Sequence, residues 1–211
     1  MISSLRYRYF QFLEHWEEYG FLSACRIICY RYEEVVPTEK PLDNLRPVPG
    51  RKDDNLHILD LDQENFTSQV LEFPRRSRRE RAKNYFRRGY RMLALVRQGK
   101  VIGDLWYVTR ATARTPQIHP HLRWFGIDLA EDEVYLFDMY IDPRERGGGV
   151  ATFFLGSVLH MMHDRGLRKS YGCYAAEHVQ ALWLHRLIGF RELPHCEVRR
   201  ILLYESGRGK G

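Results

Sequence analysis

Apolar side chains recur at helical spacing from the first residues. Leu5, Tyr9, Phe12, Leu13, Trp16 and Tyr19 fall on one face and predict a helix over 3–19. Gly20 interrupts that stripe, and a second apolar stretch runs over 21–30. Residues 30–36 then alternate as a strand does. Pro37, Pro41, Pro47, Pro49 and Gly50 predict a loop. From residue 55 the pattern becomes short strands and helices. Strands are predicted at 56–59, 92–96, 101–108, 133–141, 169–174 and 196–204, and helices at 63–73, 75–88, 150–165 and 177–187. The turn Arg97-Gln98-Gly99-Lys100 joins two of these strands into a hairpin. The segment 111–132, with Pro116 and Pro120, reads as loop, and 207–211 as a flexible tail.

Composition narrows the class. The chain has 211 residues, 44% hydrophobic and 28% charged, enough to bury a core without a disulfide or metal staple. Collagen-like, mucin-like and wholly disordered classes are excluded. No apolar run approaches the ~20 residues of a membrane span. The opening residues lack the apolar stretch of a signal peptide, so the expected compartment is the cytoplasm. Cys25, Cys29, Cys173 and Cys196 form no CxxC pair, in keeping with a reducing interior.

Charge is concentrated. The formal net charge is +6, yet residues 75–91 alone hold nine Lys or Arg against one acid, Glu80. One reading is the wet face of a helix with Ala82, Tyr85 and Phe86 turned inward. The other is an anion site for a phosphate-bearing substrate, an acidic lipid surface or nucleic acid. Nucleic acid is the weakest of these, since no zinc-finger spacing, basic zipper or RNP-type aromatic motif is present. The N-terminal helices pack on their own domain, or serve peripheral membrane contact or a homodimer.

The chemistry gathers in 135–151. A strand ends at Pro143, three glycines follow (Gly147, Gly148, Gly149), and a long helix begins. Glycines allow positive φ and consecutive exposed N–H groups, and a helix start adds unpaired N–H groups and a positive dipole end. Together these can cradle a pyrophosphate, although the same glycines also fit a plain turn. A P-loop is excluded, because Val150-Ala151 stands where Lys-Ser/Thr is required, and the glycines are too compact for a dinucleotide fingerprint.

The window 141–151 resembles the acetyl-CoA-binding motif of the GNAT acetyltransferases, in which a hydrophobic strand and x-Pro precede Arg/Gln-x-x-Gly-x-Gly/Ala. Arg146, Gly149 and Ala151 fill its fixed positions. A second segment, 177–191, resembles the family's later helix, matching at Ala181, Leu184, Gly189 and Phe190. His178 stands in place of the usual Asn and His185 in place of the usual Tyr. The resemblance covers about 55–205.

It implies an α/β fold of the α+β type, with a mixed, mostly antiparallel central sheet flanked by helices and an N-terminal helical extension. The expected division is an extension and linker over 1–50, an acyltransferase domain over 51–206 and the tail. It also implies acyl transfer, most simply of acetyl, from acetyl-CoA to a primary amine by direct attack. No metal is expected. The CoA-binding residues so implied are Arg146, Gly147, Gly148, Gly149, Val150 and Ala151 around the pyrophosphate, Met139, Tyr140 and Ile141 along the pantetheine arm, and His178. An N–H near Met139 is the implied oxyanion donor. Asp138 is the first candidate for the base that takes the amine proton, with a structural carboxylate as its alternative role; Glu133 and Glu177 are reserves. His185 is the candidate acid, as an imidazolium. A basic acceptor cleft suits a small anionic amine such as an amino sugar or sugar nucleotide. The alternative is a non-catalytic CoA-binding module acting through its N-terminal helices.

Other constellations are weaker. His119 and His121 form an HxH pair, and His160, His163 and Asp164 cluster on a helix, but neither set completes a tetrahedral metal site, and satisfied or solvent-facing histidines are expected. Cys173 reads as a small buried hydrophobe. No serine sits in a GxSxG elbow.

Overall fold

A computed structural model describes residues 2–48, 55–201 and 204–209. The element order is α1 (Ile2–Tyr19), α2 (Phe21–Cys29), β1 (Tyr30–Pro41), β2 (Leu56–Leu61), α3 (Gln63–Ser68), α4 (Arg76–Arg87), β3 (Arg91–Arg97), β4 (Lys100–Thr109), α5 (Pro120–Phe125), β5 (Glu133–Ile141), α6 (Val150–Asp164), β6 (Lys169–Ala175), α7 (Val179–Ile188), β7 (Arg191–Glu192), β8 (Cys196–Ile201) and β9 (Tyr204–Gly209). The strands form one sheet in the order β2-β3-β4-β5-β6-β1-β8-β9, with β7 against β1. Among the described strands, only β5 and β6 pair in parallel. This is the mixed, mostly antiparallel sheet expected from the sequence.

Alternation along the strands builds two cores. Leu93, Leu95, Leu105, Tyr107, Val134 and Leu136 face α6, where Phe154, Leu155, Val158, Leu159 and Met162 meet them. Their neighbours Met92, Ala94, Trp106, Val108, Tyr135 and Phe137 face the other way, onto Ala82 and Phe86 of α4 and Leu122 of α5. Period two in the strands and period 3.6 in the helices are thus satisfied together. The β3–β4 turn places Gln98 and Gly99 at φ 49° and 77°, as a tight hairpin requires.

Several expectations need correction. The prolines at 37 and 41 lie within β1, not in a loop. Pro37 has no N–H to give, and it sits where pairing with β8 has ended at Val35 and pairing with β7 begins at Thr38. β1 lies between β6 and β8, so the segment before residue 50 supplies an interior strand as well as helices. The 111–132 segment contains α5, started by Pro120 at its first position and capped by His119. Residues 207–209 belong to β9 and are paired to β8, rather than to a flexible tail. Residues 210–211 lie outside the described residues, as do 49–54.

α1 docks on α4. Glu14 accepts from the Ser77 N–H at 2.9 Å and from its hydroxyl at 2.5 Å, Glu18 pairs with Arg75, and Arg81 donates to Tyr7. Leu5, Tyr9, Trp16 and Tyr19 remain exposed along the outer face of α1. Among the described residues no helix is long and apolar enough to cross a membrane.

Candidate active site

β5 and β6 begin as partners and then part. Their register runs Glu133↔Lys169, Val134↔Ser170 and Tyr135↔Tyr171 and stops there, while β5 continues to Ile141. The sheet is therefore open beside Leu136–Ile141, and Met139, Tyr140 and Ile141 lie along that edge. Beyond it Asp142 closes a short turn by accepting from the Arg144 N–H at 3.1 Å. Gly147, Gly148 and Gly149 follow at φ 114°, 51° and 75°, conformations that cost other residues strain. Gly149 is the N-cap of α6 and carries no side-chain cap; the Val150 N–H donates to the Gly147 carbonyl at 3.1 Å, and the first-turn N–H groups of Ala151 and Thr152 are presented beside a loop of bare backbone. Arg146 donates Nε to the Ile141 carbonyl at 3.2 Å, which ties the loop to the strand end. These features fit a pyrophosphate followed by an extended arm.

α7 closes the same side. His178 is its N-cap and its side chain makes no capping bond. His185 lies between Tyr174 and Phe190, with ring centroids 4.9 Å from each. Its Nδ1 is 2.8 Å from the Ala181 carbonyl, which can only accept, so Nδ1 carries the proton and Nε2 the lone pair. Burial pushes its pKa below the ordinary value. The imidazolium expected at this position is therefore disfavoured by burial.

The opposite face begins with a β-bulge. β4 and β5 slip by one residue between Asp104/Tyr140 and Trp106/Phe137, and Asp138 in the bulge takes φ 53°. A buried quartet holds it there. Arg78 donates Nη1 to Asp138 Oδ1 at 2.9 Å, Nη2 to the Asp138 carbonyl at 3.0 Å, and Nε to Asp104 Oδ2 at 3.1 Å. Arg81 pairs with the other Asp138 oxygen, and Trp106 donates its indole N–H to Asp104 at 3.1 Å. Burial alone would raise the Asp138 pKa, but the two guanidiniums override it and hold the carboxyl at about 2. A carboxylate so held is a poor proton acceptor, which favours the structural role given as its alternative, an anchor of the bulge. Three of the nine cations of the basic segment, Arg75, Arg78 and Arg81, are spent in this way, on Asp104, Asp138 and Glu18 of α1.

Below the bulge opens a cleft of about 420 Å³. Arg81 of α4 and its C-cap Arg88, Tyr7 and Arg8 of α1, Arg31 of β1 and Arg200 of β8 line it, with Asp138 and Glu205 as its acids. Burial and the charges of Arg8 and Arg31 push Arg200 down to about 10, the mark of crowded positive charge. His119 and His121 form the inner wall. His119 accepts the His121 backbone N–H at Nδ1, 3.2 Å away. His121 Nδ1 lies 2.8 Å from Tyr135 Oη, which is 3.3 Å from Cys173 Sγ. Burial pushes His119 and His121 well down, the latter to about 4, so both rings are neutral near pH 7. It also pushes the Cys173 thiol up to about 12, which removes it as a nucleophile.

The reserve carboxylates lie elsewhere. Glu133 is buried, accepting from the Ala130 N–H at 2.9 Å and paired with Lys169 at 3.4 Å. Glu177 is exposed in the turn before α7. His160 is bonded within α6 to the Gly156 carbonyl. The HxH pair, expected as satisfied or solvent-facing histidines, forms the inner wall of the cleft, and its local signal is the His119-Pro120-His121 start of α5. Arg8, Arg31 and Arg200 are distant in sequence, and no local pattern brings them together.

The acetyltransferase (GNAT) family model matches residues 56–190, well over half of the chain. No curated protein matches it. Among solved structures, a GCN5-related N-acetyltransferase from Sphaerobacter thermophilus superposes with a TM-score of 0.50 at 14% identity, over 87% of this chain and 57% of that one. The GCN5-related glucosamine N-acetyltransferase region of a fungal multi-domain GH3 β-N-acetylglucosaminidase gives 0.54 at 15% identity, over 92% and 23%. A GNAT-family acetyltransferase from Colwellia psychrerythraea gives 0.49 at 14%, over 86% and 61%. This chain thus spans less than two thirds of the length of each of these three. At such identities the likeness is one of fold. The family match is one of sequence, and it runs from β2 through the opened strand pair to the end of α7, so this chain belongs to the acetyltransferase (GNAT) family.

Proposed function

We propose that the protein transfers an acyl group, most simply acetyl, from acetyl-CoA to the primary amine of a small anionic acceptor. One observation carries this reading. The opening between β5 and β6 leads on one face to the glycine-capped start of α6, and on the other into a cleft lined by arginines. The loop 146–151 would hold the pyrophosphate through backbone N–H groups and the α6 dipole. The free edge at Met139–Ile141 would pair with the pantetheine arm, beside His178. The bulge at Asp138 turns the strand so that an N–H near Met139 can meet the oxyanion.

The acceptor enters from the cleft. An ammonium cannot attack, so one proton must leave it first. His121, neutral in the cleft wall, is the acceptor this reading assigns: burial lowers its basicity, the Asp138 carboxylate opposes that, and an anionic acceptor in the cleft would add to the support of the imidazolium. The amine nitrogen then bonds to the acyl carbon, the C–S bond breaks, and the sulfur takes a proton. The arginines suit an amine that carries phosphate or carboxylate. Phosphorylated amino sugars and amino-sugar nucleotides are one such class, and a fold-level neighbour is named for the parent amine, glucosamine. An acyl-CoA donor suits the cytoplasm.

The test is calorimetric titration of acetyl-CoA into the wild type and Gly149→Trp, followed by thiol release with glucosamine 6-phosphate, glucosamine and spermidine. Binding abolished by the bulky residue, with turnover of the phosphorylated amine foremost, is expected. Binding without turnover would leave a CoA-binding module. A folded wild type that binds neither acetyl-CoA nor longer acyl-CoAs would end the reading.

A further inference from the structure

Lys40 lies near the end of β1, opposite Ser170 of β6, and is only 8% exposed. Its ammonium makes no hydrogen bond or ion pair with the described residues. A buried cation without a partner costs free energy, so its position calls for a reason. Lys40 fronts a cavity of about 180 Å³. α6 and α7 wall this cavity with Leu159, Leu187 and Ile188, and the segment after β1 adds Leu45 and Val48. Gly156, on the α6 wall, contributes no side chain to fill it. Arg46, exposed beside it, donates Nη1 to the Leu187 carbonyl at 3.4 Å, which keeps a second positive charge at the cavity. Burial and the charge of Arg46 push the Lys40 pKa below its ordinary value, with Asp43 opposing them. Among the described residues no acid lines the cavity. Nor do Met139–Ile141, the loop 146–151 or His178, so it is separate from the groove assigned to CoA.

We infer that this cavity binds a small monocarboxylate with a compact apolar body, the carboxylate meeting Lys40 and Arg46 and the body lying among Leu45, Val48, Leu159 and Ile188. Charge, lining and size each narrow the class. Two cations without an acid repel an amine, and a neutral molecule would leave Lys40 unpaired. A carboxylate gives it a charge-assisted hydrogen bond in a place where water is largely excluded. A wholly polar anion such as phosphate would lose its hydration against apolar walls with little return. A dry cavity of about 150 Å³ holds a benzene-sized molecule, so this one suits a body of roughly six carbons beside the carboxylate. Lys40 Nζ also lies near Gly189, the C-cap of α7, where a helix dipole favours a cation. A capping role alone needs no cavity and does not tell a carboxylate from an alcohol. The site stands apart from the acyl-transfer reading, and neither depends on the other.

The experiment uses hexanoate as the probe, titrated by calorimetry into the full chain. Hexanol, which lacks the charge, and acetate, which lacks the body, are the controls. Hexanoate is expected to saturate one site on the wild type, with hexanol and acetate each at least ~10-fold weaker. Lys40→Met is expected to lose at least ~10-fold in hexanoate affinity. Gly156→Leu fills the cavity and is expected to abolish binding with the circular dichroism unchanged. Saturating CoA leaves hexanoate binding in place. A folded wild type that does not bind hexanoate overturns the proposal, as does equal binding of hexanoate and hexanol. Equal hexanoate affinity in wild type and Lys40→Met overturns it too, and leaves Lys40 as a cap on α7. Binding retained by Gly156→Leu, or displaced by CoA, places the probe elsewhere and is equally fatal. If Lys40→Met does not fold, the comparison of hexanoate with hexanol on the wild type decides. A wild type that takes hexanoate but not CoA ends the acyl-transfer reading alone.

Discussion

Replacing Arg78 with leucine removes the central cation of the buried quartet. Arg78 gives two bonds to Asp104 and one each to the Asp138 carboxylate and carbonyl, and it lies over the Tyr140 ring at 5.0 Å. Leucine keeps some apolar volume and none of these bonds. Asp104, 1% exposed, is left with the Trp106 indole N–H alone. Removing one partner of a buried ion pair costs about 3–5 kcal/mol. For a chain of this size, at ~2–4 °C per kcal/mol, the melting temperature falls by roughly 6–20 °C near neutral pH. The pH dependence has a definite sign. Arg78 and Arg81 hold Asp138 at about 2, whereas burial already pushes Asp104 above its ordinary value. Without Arg78 both carboxyls move up, so the variant's native state takes up protons as pH falls and shed charge relieves it. The deficit against wild type therefore narrows from about pH 7.5 to 5, and Asp104→Asn in the same background recovers part of it at neutral pH. Differential scanning calorimetry across this range is the assay. A loss below about 2 °C, or a deficit that does not change with pH, would refute the reasoning.

Other outcomes follow from the same geometry. His119, His121 and His185 all titrate below their unfolded value, so the unfolded chain binds more protons below pH ~6.5 and wild-type stability falls from pH 7 to 5. His121→Gln should flatten that slope by on the order of 1 kcal/mol in denaturant titrations, after allowing for water in the cleft; an unchanged slope would place the imidazole in solvent. In the acyl-transfer assay the same variant is expected to lose ~100-fold in kcat with the KM for acetyl-CoA unchanged. Gly207→Ala drives a methyl to 2.4 Å from the Trp124 ring, and hydrogen exchange should show β9 opening while β3–β5 stay protected.

The sequence by itself determined the local order of this protein. Alternation at 92–108 and 133–141 gave the strands, because half-buried strands must alternate. The apolar face at 150–165 gave α6, and three glycines before it announced a loop that only bare backbone can form. That loop was legible because its chemistry is contiguous. What failed to show was whatever depends on distant partners. Pro37 and Pro41 look like breakers in isolation, and only the junction between β8 and β7 makes room for a residue without an N–H inside β1. The cations of 75–91 read as a free charge until Asp104 and Asp138 are brought against Arg78 and Arg81. Asp138 is a base candidate only through the resemblance, and the sequence does not show that Arg78 and Arg81 hold its carboxylate or that burial lowers the pKa of His185. Protonation state and partner identity are set by burial and by charges from other elements, and neither is encoded in any single stretch of chain. Lys40, Gly156 and Ile188 line one cavity only because β1 is inserted beside β6, which tertiary pairing decides.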